Sequence, residues 1–375
     1  MTTKESYMYK AVRPVRVPGA KPSIQQVWEM LHWGSRLIVT PNDYRTHRLY
    51  MRGIRRSDAL RYLSGPRAEG LYPVLNPDPE VLEDKIRYER HFGGLGLPVP
   101  ETLAVIADEA RPDGLRTLTT ATEVRQFLEA ELGDGAGLVV KPVDGLKGAG
   151  VTVATGIDGS DLMLSNGDRR PVSELVEETR VGTWIVQKRV VQHPEIEALN
   201  SSTLNTLRLG TLRRSDGRVE IIFAVLRVGR AHSQIDAYDH GGYSVRLDPQ
   251  TGAFADQAYQ NAIFSLERSR AHADSGAEFA GRIFPFWGDL LTLAESFARA
   301  SGPNIFVGWD VAATPDGIVF LEGNHNWGAH LAQIDSRGML TDELLEALDA
   351  EAGITFDVRC PPAVKPLTAL RKLRK

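Results

Sequence analysis

The chain has 375 residues, of which 42% are hydrophobic and 25% are charged, a balance that is typical of globular proteins and excludes a disordered or fibrous chain. The formal net charge of −4 gives no general reason to expect a nucleic acid as a partner. The one cysteine, Cys360, has no second thiol for an internal disulfide, and no apolar run is long enough to span a membrane. We therefore expect a cytoplasmic protein.

The first part of the chain is predicted to be irregular and helical. Residues 1–20 contain scattered prolines and basic residues, and we expect an irregular arm there. A helix is predicted over residues 23–33, where the apolar side chains have helical spacing. These side chains are Ile24, Val27, Trp28 and Leu31. A second helix is predicted from about Pro79 to Phe92, and the prolines that follow it place the end of the first unit near residue 95.

After residue 95 the pattern alternates between strand and helix. Strands are predicted over residues 102–107, 138–143, 151–155, 184–191, 204–213, 219–229, 243–247, 305–313 and 318–324. Helices are predicted over residues 122–132, 285–301 and 342–352. This order favours an α+β fold in which mixed sheets carry helices on their faces.

A glycine-rich segment follows the strand predicted over residues 138–143. Lys141 lies near the end of that strand, and Gly145, Gly148 and Gly150 come after it. Glycine lets backbone N–H groups approach phosphate oxygens closely, and a lysine adds a positive charge. The spacing matches neither the P-loop nor the dinucleotide-binding fingerprint. The residues alone leave two interpretations open, a flexible turn and a phosphate-binding loop.

The segment 305–324 predicts a β-hairpin whose turn is centred on Asp316. This hairpin places Asp310 opposite Glu322, and Asn324 projects to the same face. Two facing carboxylates repel each other unless a cation lies between them, and Mg²⁺ prefers one or two carboxylates with phosphate oxygens and water. We therefore expect these three residues to hold Mg²⁺. The alternative is an edge hairpin whose acidic residues face water.

Polar residues also interrupt two other predicted strands. Gln187 and Lys188 lie in one of them, placed to contact the edge of a nucleobase. Asn205 and Arg208 lie in the next, where a buried arginine needs an anionic partner. The alternative for Arg208 is a structural ion pair. His193 precedes a proline and is expected to cap a helix or turn rather than to catalyse.

Taken in order, these motifs resemble the ATP-grasp superfamily, and they are most similar to its sugar-transfer-associated branch. The resemblance spans roughly residues 80–335 and rests on the Gln-x₅-His-Pro run, the Leu-Asn-Thr-Leu-Arg strand and the Gly-Trp-Asp and Leu-Glu-Gly-Asn motifs. It implies an ATP-grasp fold, in which two α+β subdomains enclose ATP after an N-terminal pre-ATP-grasp region. The expected divisions are a substrate-selecting region at 1–95, a glycine-loop subdomain at 96–185, a metal-ligand subdomain at 186–360 and a basic tail at 361–375.

The resemblance also implies roles for the matching residues. Arg208 and Lys141 are expected to stabilise the transferred phosphoryl group, and Asp310, Glu322 and Asn324 to hold Mg²⁺. Contacts to ATP are expected from Lys85, Lys141, Gly145, Gly148, Gly150, Gln187, Lys188 and Val190. Contacts to the second substrate are expected from Asn205, Arg227, His240 and Arg246. For the two last-named arginines a surface ion pair is an equal alternative.

The activity that the resemblance implies is ligation of a small-molecule carboxylate to an amine through an acylphosphate, with release of ADP and phosphate. The sequence offers cations and metal ligands but no nucleophile–base pair, which suits a reaction that depends on positioning and charge neutralisation. We expect ATP and Mg²⁺ as cofactors, and the sequence does not indicate the oligomeric state. Two alternatives stay open, a kinase or phosphotransferase on the same fold and a non-catalytic nucleotide-binding module.

Overall fold

The computed structural model describes residues 13–34, 39–110, 114–133, 137–143, 150–233, 235–236, 238–262, 264–334 and 338–355. These residues form two β-sheets, helices that cover the sheets, and a group of N-terminal helices. Two of the predicted glycines, Gly145 and Gly148, and the basic tail at 361–375 lie outside them. No helix within these ranges is long and apolar enough to cross a membrane.

Twelve α-helices are described. They are α1 (Ser23–Gly34), α2 (Pro41–Thr46), α3 (Arg56–Ala59), α4 (Gly65–Leu75), α5 (Glu80–Glu83), α6 (Lys85–Tyr88), α7 (Ala121–Gly133), α8 (Val172–Glu178), α9 (Pro194–Glu197), α10 (Trp287–Ala300), α11 (Ala329–Ala332) and α12 (Asp342–Ala352). A π-helix over Glu89–Gly93 and a 3₁₀-helix over Tyr238–His240 complete the helical elements in these ranges.

The strands fall into two sets along the chain. The first set is β1 (Thr102–Ile106), β2 (Thr117–Leu118), β3 (Leu138–Pro142), β4 (Thr152–Asp158), β5 (Asp161–Leu164), β6 (Arg169–Pro171) and β7 (Trp184–Lys188). The second set is β8 (Leu207–Arg213), β9 (Val219–Val228), β10 (Tyr243–Leu247), β11 (Phe254–Tyr259), β12 (Phe306–Thr314) and β13 (Gly317–Asn324).

The first sheet has seven strands in the order β2-β1-β7-β3-β4-β5-β6. Its strands pair antiparallel except for β1 with β2, which are parallel. Helices α7 and α8 cover one face, where Val140 and Val186 pack in a core with Phe127. Because neighbouring residues of a strand point to opposite faces, Lys141 and Gln187 project from the face that these helices leave uncovered.

The second sheet has six antiparallel strands in the order β11-β10-β9-β8-β12-β13. One face packs against α5, α6 and α10, and Phe297 of α10 meets Trp309 with ring centroids 5.4 Å apart. The other face packs against α4, α11 and α12, where Phe306 stacks on Trp327 with centroids 4.4 Å apart. Helices on both faces make the sheet a buried platform, as the predicted α+β arrangement requires.

The described residues between 13 and 62, which we call the N-terminal unit, have a small core of their own around Trp33, Tyr44 and Tyr50. Polar groups are also buried there. Lys21 Nζ lies 2.7 Å from Glu29 Oε2, and both residues are 5% exposed. The predicted helix at 23–33 is present as α1, but its apolar side chains point outward. Their exposed fractions are 86% for Ile24, 40% for Val27, 58% for Trp28 and 69% for Leu31.

The helix predicted from Pro79 to Phe92 is interrupted at Asp84. The backbone there is extended, with ψ of 109°, and the Asp84 side chain accepts hydrogen bonds from the N–H groups of Ile86 and Arg87. Aspartate is a strong N-cap because its carboxylate satisfies the first free N–H groups of a helix. The single predicted helix is therefore wrong, and α5, α6 and the π-helix replace it.

Candidate active site

The hairpin of β12 and β13 has the predicted pairing at its polar end. Asp310 is opposite Glu322, and Asn324 lies two residues further along. The turn differs from the prediction, because Thr314 pairs with Gly317 across a two-residue loop. A β-bulge then shifts the register by one residue, since Val311 pairs with Phe320 and leaves Leu321 as the extra residue of β13. The predicted carboxylate pair therefore depends on a bulge that the turn chemistry did not reveal.

A row of charged residues crosses the second sheet from this hairpin. Asp310 pairs with Arg208 of β8, which pairs with Val225 of β9, and Val225 pairs with Arg246 of β10. Directly opposed residues lie on the same face, and so does Arg227, two residues from Val225. The fold thus places on one sheet face residues whose roles were predicted from separate segments of the sequence.

Asp310 accepts hydrogen bonds from two arginines. Arg208 Nε donates to Oδ1, Arg208 Nη2 lies 3.2 Å from Oδ2, and Arg227 Nη2 lies 2.8 Å from the same Oδ2. Arg208 is 7% exposed and Asp310 is 4% exposed, so the ion pair is buried. The loss of one partner of such a pair leaves an uncompensated charge in the interior. Of the two interpretations left open for Arg208, a structural ion pair is present.

Two further residues extend this network. Arg227 Nε lies 3.5 Å from Asp236 Oδ2, and both the N–H and the hydroxyl of Thr206 donate to that oxygen. Two arginines and two aspartates therefore balance one another in charge. The sequence analysis missed Asp236 and Thr206, because nothing in the local pattern of either residue shows that it reaches β9.

The carboxylates of the hairpin titrate in opposite directions. Burial raises the pKa of Glu322, and the neighbouring charge of Asp310 raises it further. Burial also favours a raised pKa for Asp310, but Arg208 and Arg227 prevail and lower it to about 2. Lys141, Arg208 and Lys85 oppose the rise for Glu322 without reversing it, whereas the two arginines outweigh burial at Asp310.

Asp310, Glu322 and Asn324 fit Mg²⁺ by the chemistry of their donor atoms. Asn324 Nδ2 donates to the Gly308 carbonyl at 3.3 Å, which directs the amide oxygen away as a ligand. Within the described part of the chain no three His, Cys, Asp or Glu residues cluster as metal ligands. Two carboxylates and an amide nevertheless match the preference of Mg²⁺ for few protein ligands completed by phosphate oxygens and water. A carboxylate has about four lone-pair sites, so Asp310 can accept hydrogen bonds from the arginines and still have a lone pair for a metal ion.

Gly308 shows why the Gly-Trp-Asp motif begins with glycine. A Cβ atom on Gly308 would lie 2.6 Å from Cβ of Trp327, which is closer than real Cβ contacts. The backbone after β13 therefore folds directly over β12 beside Asp310. This close approach holds the polar end of the hairpin against the segment that leads into α11.

A cavity of about 170 Å³ lies between the two sheets. Lys141 and Gln187 line it from the first sheet, and the bulge residue Leu321 lines it from the second. Lys188 and Val190, also predicted to contact a nucleotide, line the same cavity. Gln187 is held in place by a hydrogen bond of 3.1 Å from its Nε2 to Thr102 Oγ1. The structure therefore brings four of the predicted nucleotide contacts to one place between the sheets.

The lysines place positive charge at this cleft. Burial lowers the pKa of Lys141 to about 8, although the charge of Glu322 opposes the shift. Lys85 Nζ donates to the Val143 carbonyl at 2.9 Å, and its charge also acts on Lys141 and Glu322. Gly150 has φ of +72°, a left-handed conformation that suits glycine, at the end of the predicted phosphate loop.

The residues predicted to contact a second substrate occupy different positions. Asn205 is buried within an internal network, where its Oδ1 accepts from Gly229 N at 3.0 Å and its Nδ2 donates to the Asn200 carbonyl at 2.8 Å. His240 is exposed at the end of the 3₁₀-helix. Arg227 lies in the buried network, and Arg246 Nη1 lies 3.4 Å from the Ile334 carbonyl.

A family model for sugar-transfer associated ATP-grasp proteins matches residues 67–349. The chain belongs to this family. The resemblance predicted from the motifs and the ATP-grasp fold are thereby confirmed, and the two-sheet architecture agrees with them. A search of curated proteins found no match.

Several solved structures are similar at low identity. Biotin carboxylase from Campylobacter jejuni is 14% identical over 74% of this chain and 48% of its own, with a TM-score of 0.41. L-amino acid ligase from Bacillus licheniformis is 13% identical over 75% of this chain and 51% of its own, with a TM-score of 0.39. D-alanyl-alanine synthetase A from Vibrio cholerae is 13% identical over 74% and 61%, with a TM-score of 0.36. The chain thus spans about half the length of the first two.

Proposed function

We propose that the chain is an ATP-dependent ligase that joins a small-molecule carboxylate to an amine through an acylphosphate and releases ADP and phosphate. One observation carries the proposal. Asp310, Glu322 and Asn324 share a sheet face beside a cavity that Lys141 lines from the opposite sheet. Membership of an ATP-grasp family supports ATP as the nucleotide.

The cavity between the sheets, of about 170 Å³, is the proposed site of the adenine base of ATP. Gln187, Lys188 and Val190 line it, and Gln187 Nε2 is already bound to Thr102 Oγ1. Lys141 and Lys85 supply charge for the phosphates, and they are set apart from the arginine–aspartate network. Positive charge thus faces the phosphates, while each arginine of the network keeps a carboxylate partner.

Asp310, Glu322 and Asn324 would hold Mg²⁺, which when bound supplies a Lewis acid that neutralises phosphate charge. The carboxylate of Asp310 fixes the position of Arg208, so this guanidinium needs no reorganisation when charge develops on the transferred phosphoryl group. Arg246 and Arg227 flank Val225 on the same face and are the proposed anchors for the carboxylate substrate. A carboxylate nucleophile is already ionised at neutral pH, so the chain needs no general base for the first step.

A kinase reaction is the second candidate, because the family match identifies the ATP-grasp fold and does not identify the group that accepts the phosphoryl group. The two reactions differ in their product. A ligase forms an activated acyl group that an amine captures, whereas a kinase forms a stable phosphate ester.

The test is incubation of the protein with ATP, Mg²⁺, a panel of carboxylic acids and hydroxylamine, followed by assays of ADP and hydroxamate. We expect ADP and hydroxamate in equal amounts. A stable phosphorylated product without hydroxamate would establish the kinase instead.

Glu322→Gln is the matched variant, because it removes the charge and keeps the size of the side chain. We expect it to abolish turnover and to leave the stability equal or higher, since burial beside Asp310 disfavours the ionised form of Glu322. Near-normal turnover in this variant would contradict the metal assignment.

A further inference from the structure

Helix α1 of the N-terminal unit has an inverted distribution of polar and apolar side chains. A helix at a protein surface usually buries its apolar residues and exposes its polar ones. In α1 the buried face includes Gln26 and Glu29, and the outer face is apolar. We call the outer face the apolar stripe, and it consists of Ile24, Val27, Trp28 and Leu31. Residues at this spacing are neighbours on one side of a helix, and their exposed fractions lie between 40% and 86%.

Hydrogen bonds of the inner face fix the rotation of α1. Gln26 Oε1 accepts from the Val15 N–H at 2.8 Å, and Gln26 Nε2 donates to the Lys21 carbonyl at 2.7 Å. Glu29 Oε2 accepts from the Tyr44 hydroxyl at 2.6 Å and lies 2.7 Å from Lys21 Nζ. A rotation that buried the apolar stripe would break these hydrogen bonds and leave buried partners unpaired. The fold therefore keeps the apolar stripe on the surface.

The apolar stripe is contiguous and contains an exposed tryptophan. All six tryptophans of the chain are described, and Trp28 is 58% exposed, whereas the other five are at most 7% exposed. Contiguous apolar patches on a protein surface mark contacts with another protein or with a membrane. Tryptophan is enriched at membrane–water interfaces, because its ring is apolar and its N–H is polar.

The N-terminal unit that carries the stripe is strongly basic. Its described residues include nine lysines and arginines and three carboxylates, a formal charge of +6, whereas the whole chain has −4. The carboxylates of Glu29 and Asp43 are buried, and Asp58 is half-buried. Three exposed arginines have no ion pair with a described carboxylate, and these are Arg16, Arg52 and Arg55. The unit therefore presents positive charge to solvent and favours an anionic partner.

Two of these arginines lie beside α1. Arg52 Nε donates to the Ala20 carbonyl at 3.2 Å, three residues before the helix begins. Arg16 follows Val15, whose N–H is bound to Gln26 of α1. A long arginine side chain can lay its stem along apolar surface while its guanidinium stays in a polar layer. An apolar helical stripe with basic residues beside it is the combination by which interfacial helices bind anionic membranes.

We propose that the apolar stripe of α1 binds the surface of an anionic lipid membrane. The helix lies in the plane of the headgroups, with Trp28 and Leu31 at the acyl boundary and the neighbouring arginines at the lipid phosphates. A second copy of the chain fits the stripe less well, because it would bring a unit of charge +6 against another of the same charge. The inference goes beyond the proposed ligase function and does not depend on it.

The first measurement is the tryptophan fluorescence of the full chain mixed with lipid vesicles. Vesicles of phosphatidylcholine alone are compared with vesicles that also contain phosphatidylglycerol. The salt concentrations are about 0.1 M and about 1 M, between which the screening length falls from about 10 Å to about 3 Å. We expect a blue shift of the emission only with the anionic vesicles and at the lower salt concentration. Because the other five tryptophans are buried, this shift reports on Trp28.

Co-sedimentation with the anionic vesicles then compares the affinity of the parent and of stripe variants. Trp28→Gln/Leu31→Gln removes two side chains of the stripe and introduces glutamine, which is a good helix former. We expect it to weaken binding about tenfold or more, as for the loss of a buried apolar side chain. The control Leu95→Gln/Ile283→Gln removes apolar side chains that are 60% and 58% exposed elsewhere, and it should bind like the parent.

A second pair of variants tests the charges. Arg16→Gln/Arg52→Gln should weaken binding to the anionic vesicles about tenfold and reduce its salt dependence, because each basic residue near an anionic surface adds to the attraction. The control Arg180→Gln/Arg218→Gln removes two exposed arginines of other segments and should bind like the parent.

Several outcomes would overturn the proposal. They are absence of vesicle binding, equal binding to neutral and anionic vesicles, and equal loss in the α1 variants and their controls. Binding of soluble polyglutamate through Trp28 and Leu31, without vesicle binding, would assign the stripe to an acidic protein. A dimer in analytical ultracentrifugation that Trp28→Gln/Leu31→Gln dissociates would assign it to a second copy of the chain. Each result holds whether or not the protein forms hydroxamate.

Discussion

The centre of the second sheet and the N-terminal unit differ in how completely their buried polar groups are paired. Around Asp310 the charges are paired, because two arginines and two aspartates form one buried network. In the N-terminal unit the Lys21–Glu29 pair is also buried, yet the segment around His47 has polar atoms without hydrogen-bond partners among the described residues. The apolar residues Ile24, Trp28 and Leu31 of α1 lie on the surface. The sheet, which packs on both faces, pairs its buried charges within the fold, whereas the small unit at its edge leaves several buried polar atoms unpaired among the described residues.

This difference separates two kinds of residue. Substitutions in the paired network are expected to affect folding and chemistry together, because each side chain holds another in place. Substitutions of the exposed apolar residues of α1 are expected to have little effect on folding. The predictions below test this division.

Asp310→Asn is expected to have the largest effect. It leaves Arg208 without its carboxylate partner, so the free energy of unfolding should fall by about 3 kcal/mol, the lower end of the cost of breaking a buried pair, since Arg227 keeps Asp236. ADP release should be abolished. Urea denaturation and a coupled ADP assay measure the two effects.

The control for Asp310→Asn is Asp274→Asn, which removes an aspartate that pairs with Arg230 near the surface. Partly exposed ion pairs contribute about 1 kcal/mol or less, so this variant should unfold almost like the parent. Equal stability of the two variants would show that the Asp310 network does not support the fold. Normal ADP release in Asp310→Asn would contradict the proposed metal site.

The pairing of Asp310 with Glu322 was predicted correctly from the sequence, but the predicted position of the turn explains it only in part. Turn residues at 315–317 and the period of a strand place Asp310 opposite Glu322. The turn in fact closes one residue earlier, and the bulge at Leu321 restores the pairing. A bulge leaves no mark in a single sequence when the extra residue is an ordinary leucine. The same bulge gives the cavity between the sheets one of its apolar contacts.

Other features were out of reach because they depend on contacts distant in sequence. Asp236 reaches Arg227 only through the fold, and no spacing rule connects it with Asp310. Local signals were more reliable where one residue decides the outcome. His193 caps α9 as expected, with Nδ1 accepting from Glu195 N at 3.2 Å. Asp84 divides a predicted helix for the same local reason, and its capping role was readable but overlooked.

Lys141 gives an intermediate effect that tests the cleft by pH. Burial lowers its pKa to about 8, so the lysine is protonated below that pH and loses its charge above it. If Lys141 binds the phosphates, the affinity for ATP should fall as the pH rises through this value, by at most about tenfold per pH unit. Lys141→Arg should remove this dependence, because arginine stays charged, and Lys141→Met should bind weakly at every pH. Titrations with ATP over this pH range measure the affinity. Identical pH profiles for the parent and Lys141→Arg would show that Lys141 does not bind the phosphates.

The smallest effect is expected at α1, and it tests the division most directly. Leu31 of α1 and Leu290 of α10 both lie on apolar helical stripes, but Leu31 is 69% exposed and Leu290 is fully buried. Leu290→Ala should lower the free energy of unfolding by about 2–5 kcal/mol, because it leaves a cavity in the core. Leu31→Ala should change it by less than about 0.5 kcal/mol, because the side chain has little to lose on the surface. Urea denaturation of both variants measures the contrast. A large loss in Leu31→Ala would mean that α1 is covered in solution, and the N-terminal unit would then resemble the sheet rather than differ from it.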